Sequence, residues 1–214
     1  MEEQLTPYKA PRQKRSRESL ERLLDATEEQ IRLYGVEALT ISGVVNSIGL
    51  SVGAFYARFP DKTALLHAVQ DRFHSRLEPR IRDQMIAEAG PCTTLAEALD
   101  AAVGVLIRNV VGERERELSR GFMSLSVADP VLRARGELVN RQRRETFSEI
   151  LLAHSDEIGH PDPALAISVA YGMYAAVIRG RLVFGPEHEL YYDIDTATLY
   201  RELKKALTLY LRGE

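Results

Sequence analysis

The sequence contains very little cysteine, since Cys92 is the only one among 214 residues. A single thiol cannot form an internal disulfide, and Cys92 lacks the companion ligands of a metal site. Long apolar runs are also lacking, and no stretch approaches the roughly 20 residues needed to span a bilayer. The first eleven residues have no apolar core of the kind a secretory signal requires. We therefore expect a cytoplasmic protein with no membrane partner.

A large excess of one charge is missing as well, because the formal net charge is only −3. The composition, 45% hydrophobic and 28% charged, is typical of a globular protein and too apolar for a disordered one. Basic residues cluster near the start of the chain, which could allow contact with phosphate, although a charge run alone more often marks a solvated tail. We interpret residues 1–15 as a basic flexible arm. The cluster consists of Lys9, Arg12, Lys14, Arg15, Arg17 and Arg22, against Glu18 and Glu21.

Helical periodicity dominates the sequence, and alternating strand patterns are hard to find. Capping residues, turn glycines and prolines mark where helices begin and end. Pro79 is expected to bend or end the fourth helix, and the Gly90-Pro91 pair is the clearest break in the chain. The pattern predicts an all-α fold with short helices first and a larger bundle after them. The helices are expected over residues 16–34, 40–48, 51–59, 61–77, 93–111, 113–127, 130–155, 163–184 and 195–212.

Residues 40–62 contain two short helices, each apolar on one side only, separated by Gly49 and Leu50. This arrangement is typical of a helix-turn-helix, whose second helix enters the DNA major groove. Gly49 permits the positive φ of a tight turn, and Leu50 is expected to be buried between the helices. Ser51 can cap the second helix, whose N-terminus attracts phosphate.

The run over residues 49–59, Gly-Leu-Ser-Val-Gly-Ala-Phe-Tyr-Ala-Arg-Phe, is followed by Lys62 and Leu65 and resembles the signature of the tetracycline-repressor (TetR) family. Upstream, the pattern Leu-Leu-x-Ala at residues 23–26, Gly35, and Thr-Ile at residues 40–41 resemble that family's first helix and its junction. The resemblance covers about residues 17–69. Beyond them only the all-helical layout is similar.

The resemblance implies a role for each matching residue. Thr40 and Tyr56 would hydrogen-bond DNA phosphates, Lys62 would pair with another phosphate, and Arg17 would lie along the backbone or in the minor groove. Phosphate contacts fix the position of a protein on DNA, while base contacts read the sequence. The residues that would face the major groove are Ser51, Val52, Gly53 and Ala54.

Two positions depart from the family pattern. Ala54 replaces a common threonine or serine, and Ile48 replaces the usual alanine, so the two helices are expected to pack slightly further apart. Val52 and Ala54 can contact thymine methyl groups but cannot make bidentate hydrogen bonds to guanine or adenine. Base recognition is therefore expected to depend on apolar contact and DNA shape.

Residues 49–53 also match Gly-x-Ser-x-Gly, the nucleophile elbow of α/β-hydrolases. That chemistry needs a strand before the serine and a parallel sheet to hold it, whereas the preceding segment is helically periodic. We therefore expect no enzyme and no catalytic residue. His67 and His74 lie seven positions apart, too far for the i, i+4 pair of a zinc site, so no metal or other cofactor is expected.

The resemblance divides the chain into a helix-turn-helix DNA-binding domain over residues 16–77 and a ligand-binding and dimerisation domain over residues 78–214. The last helix carries an apolar stripe that suits a dimer interface, and its neighbour over residues 163–184 could complete a four-helix bundle across a two-fold axis. An intramolecular core is nearly as well supported. Dimerisation is favoured because two recognition helices must meet major grooves roughly 34–36 Å apart. The candidate interface residues are Leu199, Leu203, Leu207 and Tyr210.

A ligand pocket is expected to be mostly apolar with a few placed polar groups. If Arg120 or Arg179 is buried there, an anionic effector is expected, since a buried guanidinium needs a partner; an internal glutamate could serve instead. The candidate pocket residues are Asn109, Arg120, Phe122, Met123, Tyr171, Tyr174 and Arg179.

The sequence thus predicts a homodimeric DNA-binding regulator whose partners are double-stranded operator DNA and an unknown small-molecule effector. The favoured hypothesis is a repressor that binds a palindromic operator and is released by the effector. An activator or a co-regulated factor with the same fold is the first alternative. A helical interaction protein that never touches DNA is the second.

Overall fold

The computed structural model describes residues 14–185, 188–189 and 194–214. Its elements within this part of the chain are helical, with no strand, so the expected all-α fold is confirmed. The helices are α1 (Lys14–Tyr34), α2 (Ile41–Ser47), α3 (Val52–Tyr56), α4 (Lys62–Ala89), α5 (Leu95–Val111), α6 (Arg116–Leu125), α7 (Pro130–Leu152), α8 (Pro163–Phe184) and α9 (Thr196–Arg212). The expected arm over residues 1–15 lies outside the described residues except for its last two, which begin α1.

Side-chain caps begin several helices where the sequence predicts them. Thr40 Oγ1 accepts from the N–H of Gly43 at 3.1 Å, and Ser51 Oγ accepts from the N–H of Ala54 at 3.1 Å. Asp129 Oδ1 accepts from two N–H groups in the first turn of α7, at 2.9 and 3.1 Å. These bonds satisfy donors that the helix itself leaves without a partner, which explains why the boundaries could be read from local sequence.

Pro79 does not end α4, which continues for 28 residues to Ala89. The expectation that the helix could end there is wrong. A proline inside a helix removes one backbone hydrogen bond and costs about 3 kcal/mol. Ile81 and Met85, which follow it, are completely buried. Burial of large apolar side chains contributes roughly 1.5–3 kcal/mol each, enough to offset the cost.

The chain forms two compact units, and the boundaries between them fall inside α4, between α5 and α6, and inside α7. The first unit combines the described residues up to Ser75 with Glu113–Arg135, so it includes α6. There α6 packs against α1, and the ring of Phe122 lies 5.8 Å from that of Phe73. The sequence-based division at residue 77 did not anticipate this grouping, and the functions assigned to the two domains stay predictions.

The second unit consists of Arg76–Gly112 and Gly136–Glu214. In it, α8 packs against both α5 and α9. By length and composition α8 could cross a membrane, since an 18-residue window has a mean hydropathy of 1.2. This helix corrects the expectation that no apolar stretch approaches the roughly 20 residues needed to span a bilayer. A core helix can pass the same test, and 39% of this window is buried within the protein.

Candidate functional site

The turn between α2 and α3 has the geometry of a helix-turn-helix. Gly49 has φ +69°, a left-handed conformation that side chains disfavour. The N–H of Leu50 donates to the carbonyl of Val45 at 2.9 Å and closes the turn. Leu50 is only half-buried, so the expectation that it is fully buried between the helices is wrong. The two helices contact each other, and Val44 on α2 and Phe55 on α3 are completely buried.

The outer face of α3 exposes the four residues expected to face the major groove: Ser51, Val52, Gly53 and Ala54. On the inner side of α3, Phe55 is completely buried, and its ring lies 5.7 Å from that of buried Phe59. Next to it, Tyr56 is 53% exposed and meets Phe55 edge-on at 5.2 Å. The surface left open is made of small side chains and backbone. It would allow a close approach by another molecule.

Of the expected phosphate-binding groups, Thr40 and Lys62 already make hydrogen bonds within the protein, and each keeps a donor for a further partner. Thr40 accepts the capping hydrogen bond through its oxygen and keeps its hydroxyl proton to donate. Lys62 Nζ donates to the carbonyl of Leu39 at 2.6 Å, which brings it beside Thr40 and leaves two ammonium protons. Tyr56 has an exposed ring, and Arg17 is exposed in α1. All four candidates lie in the first unit.

Two arginines hold the helix-turn-helix together, a role that the sequence pattern does not indicate. Arg22 Nη2 donates to the carbonyl of Ile48 at 2.8 Å, at the end of α2. Arg58 donates to the backbone oxygen and the hydroxyl of Ser16 at 2.9 and 3.1 Å, at the start of α1. The partners are 26 and 42 positions away, and no local signal predicts contacts over such distances. Part of the basic charge expected to meet phosphate therefore stabilises the fold.

The predicted pocket residues are divided between the two units. Arg120, Phe122 and Met123 belong to the first unit, and the other four to the second. Arg120 is partly exposed and pairs with Glu117 at 2.9 Å. Arg179 is exposed. Neither arginine is buried, so the condition for an anionic effector is not met.

Asn109 and the two buried tyrosines take part in packing and hydrogen bonding within the second unit. Asn109 accepts from Arg80 at 2.9 Å and donates to Gln84 at 2.6 Å. Tyr171 donates to Asn140 Oδ1 at 3.0 Å, and burial raises the pKa of Tyr171 to about 12. Burial also raises the pKa of Tyr174. Both phenols are therefore neutral at physiological pH.

A cavity of about 420 Å³ lies between α4 and α7 in the second unit. None of the seven predicted pocket residues lines it. No local signal in the sequence predicts it, because the space forms where α4 packs beside α7, and the lining residues Glu78 and Arg143 that meet there are 65 positions apart. The lining residues are Glu78, Pro79, Ile81, Arg82, Met85, Gln142, Arg143, Glu145, Thr146 and Glu149.

The predicted dimer residues on α9 are only partly available at the surface. Leu207 is 1% exposed and packs inside its own protomer, while Leu199, Leu203 and Tyr210 are half-buried. An exposed apolar face also lies on α8, where Leu165, Val169 and Met173 follow one another at intervals of four residues. Residues at this spacing share one side of a helix.

Ser51, the serine of the hydrolase-like motif, caps a helix and is preceded by α2 rather than by a strand. Among the described residues there is no group of three or more His, Cys, Asp or Glu side chains that could hold a metal ion. His67 is instead paired with Asp129, with Nε2 and Oδ2 2.7 Å apart.

Comparisons with known proteins agree with this geometry. The family model for bacterial regulatory proteins of the tetR family matches residues 23–69. No curated protein matches the chain. A solved structure classed as a TetR-family transcriptional regulator from Mesorhizobium loti has a TM-score of 0.71 at 19% identity, covering 94% of this chain and 98% of that one.

Two further solved structures have the same fold. A bacterial regulatory protein of the tetR family from Rhodococcus has a TM-score of 0.63 at 16% identity, with 90% of this chain and 96% of that one covered. The fatty acid degradation regulator FadR from Bacillus halodurans has a TM-score of 0.58 at 17% identity, covering 88% and 97%. At these identities the likeness establishes the shared fold.

Proposed function

Because the chain belongs to the TetR family and is a DNA-binding transcriptional regulator, we propose that it is a repressor. In this proposal a homodimer binds a palindromic operator in the cytoplasm, and a small-molecule effector releases it. The observation that carries the DNA-binding part is the exposed outer face of α3, held in place by buried Phe55 and Phe59.

The proposed DNA contacts divide into positioning and reading. Thr40, Tyr56 and Lys62 keep donors that can bind phosphate oxygens, and Arg17 adds an exposed positive charge. Val52 and Ala54 can contact thymine methyl groups. Because no long polar side chain lies on this face of α3, DNA shape supplies much of the specificity.

Selection of duplexes from a random pool tests this proposal. We expect enrichment of a palindrome whose half-sites are separated by about one helical turn, roughly 34–36 Å, or a multiple of it. Fluorescence anisotropy then measures affinity between about 50 and 200 mM salt, where binding through phosphates weakens steeply. A folded sample that enriches no sequence and shows no salt-sensitive binding would refute the DNA-binding role proposed for α3.

Dimerisation is proposed through the exposed face of α8, which would bury Met173 and its neighbours against a second copy. Met173 is 43% exposed, and replacing it by glutamate would place a charge within that contact. We expect Met173→Glu to produce monomers in analytical ultracentrifugation. Leu138→Glu is the matched control, because Leu138 is 48% exposed on α7 and outside this face. Equal dimerisation of the two variants would exclude α8 as the interface.

Release by an effector requires that the ligand binds the non-DNA-binding conformation more tightly than the DNA-binding one. A reporter gene placed behind the selected operator distinguishes repression from activation. Repression predicts higher reporter expression when the regulator is deleted, and activation predicts lower expression.

A further inference from the structure

The first turn of α1 is an unfavourable helix start by its own sequence. Residues 14–17 read Lys-Arg-Ser-Arg, and no acidic residue lies in this turn. A helix carries a partial positive charge at its N-terminus, which favours acidic residues there and disfavours basic ones. The first buried apolar side chain of the helix, Leu20, comes only in the following turn. Local sequence and apolar packing therefore give this turn little support.

Arg58 supplies a tertiary contact to this turn. It lies two residues after Tyr56, the last residue of α3. Its Nη1 donates to the carbonyl of Ser16 at 2.9 Å, and its Nη2 donates to the hydroxyl of Ser16 at 3.1 Å. Arg58 is half-buried, and hydrogen bonds are stronger where water is partly excluded. The end of α3 is thereby bonded to the start of α1.

Arg17 follows directly on Ser16 and is exposed. A guanidinium on a frayed turn loses both backbone and side-chain freedom when it binds a phosphate, which weakens the contact. On an ordered turn the backbone part of that cost has already been met by folding. A contact that orders Ser16 therefore also strengthens the contact that its neighbour Arg17 makes with DNA.

A direct contact between Arg58 and DNA is the competing role. A guanidinium has five N–H donors, and the bonds to Ser16 use two of them. These bonds turn the edge formed by Nη1 and Nη2 toward Ser16, so that edge is not open to a phosphate. The two roles also differ in salt dependence, because each phosphate contacted by a cation contributes about 0.9 to the slope of log affinity against log salt.

We propose that Arg58 is a positioning residue for DNA binding, which orders the first turn of α1 and so holds Arg17 in place for a phosphate contact. This inference deepens the function proposed above and rests on it. It predicts that the contribution of Arg17 to DNA affinity depends on Arg58. Two arginines that contacted separate phosphates would contribute independently.

Amide hydrogen exchange, measured by NMR on the protein alone, tests the ordering step. We expect the amides of residues 18–20 to exchange about fivefold faster in Arg58→Ala than in the parent, because a turn that loses its hydrogen bonds opens more often. Arg133→Ala is the matched control, since Arg133 also donates to two oxygens in the first unit, at 3.1 and 3.3 Å, but at the start of α7. Unchanged exchange in Arg58→Ala would overturn the proposal.

A double-mutant cycle on Arg17 and Arg58 tests the coupling to DNA. Fluorescence anisotropy with the duplex selected from the random pool measures affinity between about 50 and 200 mM salt. We expect Arg17→Ala and Arg58→Ala each to weaken binding about two- to fivefold and to reduce the salt slope by about 0.9. The double variant should show no further reduction. A double variant whose slope falls by about 1.8 would show that Arg58 contacts a phosphate itself, and would overturn the proposal.

The salt slope also separates positioning from a loss of stability. A smaller folded fraction lowers the apparent affinity but removes no phosphate contact, so it leaves the slope that of the parent. Arg58→Met keeps the aliphatic part of the side chain and replaces the alanine variant in the cycle if that variant melts close to the assay temperature. A slope reduced equally in Arg133→Ala would show a general charge effect and would overturn the assignment.

The inference and the proposed function fail in distinguishable ways. A parent that binds its duplex with salt sensitivity, together with an Arg58→Ala variant of the same affinity and slope, overturns the positioning role and leaves the DNA-binding function standing. A parent without salt-sensitive binding refutes the DNA-binding role and the positioning role together, whatever the exchange measurement shows.

Discussion

Replacement of Tyr56 by phenylalanine removes one hydroxyl group from the exposed side of α3. The ring of Tyr56 packs edge-on against Phe55, and phenylalanine keeps that packing. A hydrogen bond to a charged group is worth about 1.5–3 kcal/mol. Since about 1.4 kcal/mol corresponds to a factor of ten, we expect DNA affinity to fall by between about tenfold and a hundredfold for each hydrogen bond to phosphate that the substitution removes.

The salt dependence of this variant distinguishes a hydrogen bond from a charge contact. A phenol carries no positive charge and releases no counter-ion, so the slope of log affinity against log salt stays that of the parent. Fluorescence anisotropy with the selected duplex measures both affinity and slope, and circular dichroism melting checks the fold. We expect an unchanged melting temperature, because Tyr56 is 53% exposed.

Tyr34→Phe is the matched control, because Tyr34 is 69% exposed at the end of α1 and has no proposed DNA contact. We expect this control to bind DNA like the parent. Parent-like binding by Tyr56→Phe would refute the phosphate role of Tyr56. An equal decrease in both variants would show that the assay reports something other than this hydrogen bond.

Three further changes test other parts of the molecule. Lys62→Ala should weaken binding to all duplexes and reduce the salt slope by about 0.9, and an unchanged slope would contradict its phosphate role. Gly121→Ala should lower the free energy of unfolding in urea by about 1–3 kcal/mol, because the added Cβ would lie 3.0 Å from Val36 Cβ. A variant as stable as the parent would mean that Val36 moves aside. Burial opposes ionisation of Asp129, but hydrogen bonds from His67 and α7 outweigh it and lower its pKa. That stabilisation is present above about pH 4 and is lost as the pH falls through the lowered pKa. The parent should therefore melt at a higher temperature than Asp129→Asn near neutral pH, and this difference in melting temperature should shrink in acid. A difference that stays constant with pH would contradict this.

The helix-turn-helix could be predicted from the sequence because its signals act over a few residues. A capping oxygen at Thr40 or Ser51 bonds to an N–H three positions later, and the φ of Gly49 depends on its own lack of a side chain. The same local signals placed the start of α7 behind Asp129. Such features need no knowledge of the rest of the fold.

The remaining features depend on residues that are distant in the sequence, and only tertiary packing brings them together. Arg58 bonds to Ser16 across 42 positions, α4 continues through Pro79 because Ile81 and Met85 are buried, and Glu78 meets Arg143 across 65 positions beside the cavity. A periodic apolar pattern shows which face of a helix is buried but does not identify the neighbouring helix that covers it. The candidate DNA-contacting residues could therefore be predicted from the sequence, whereas the position and charge of the cavity were decided by the packing of α4 against α7.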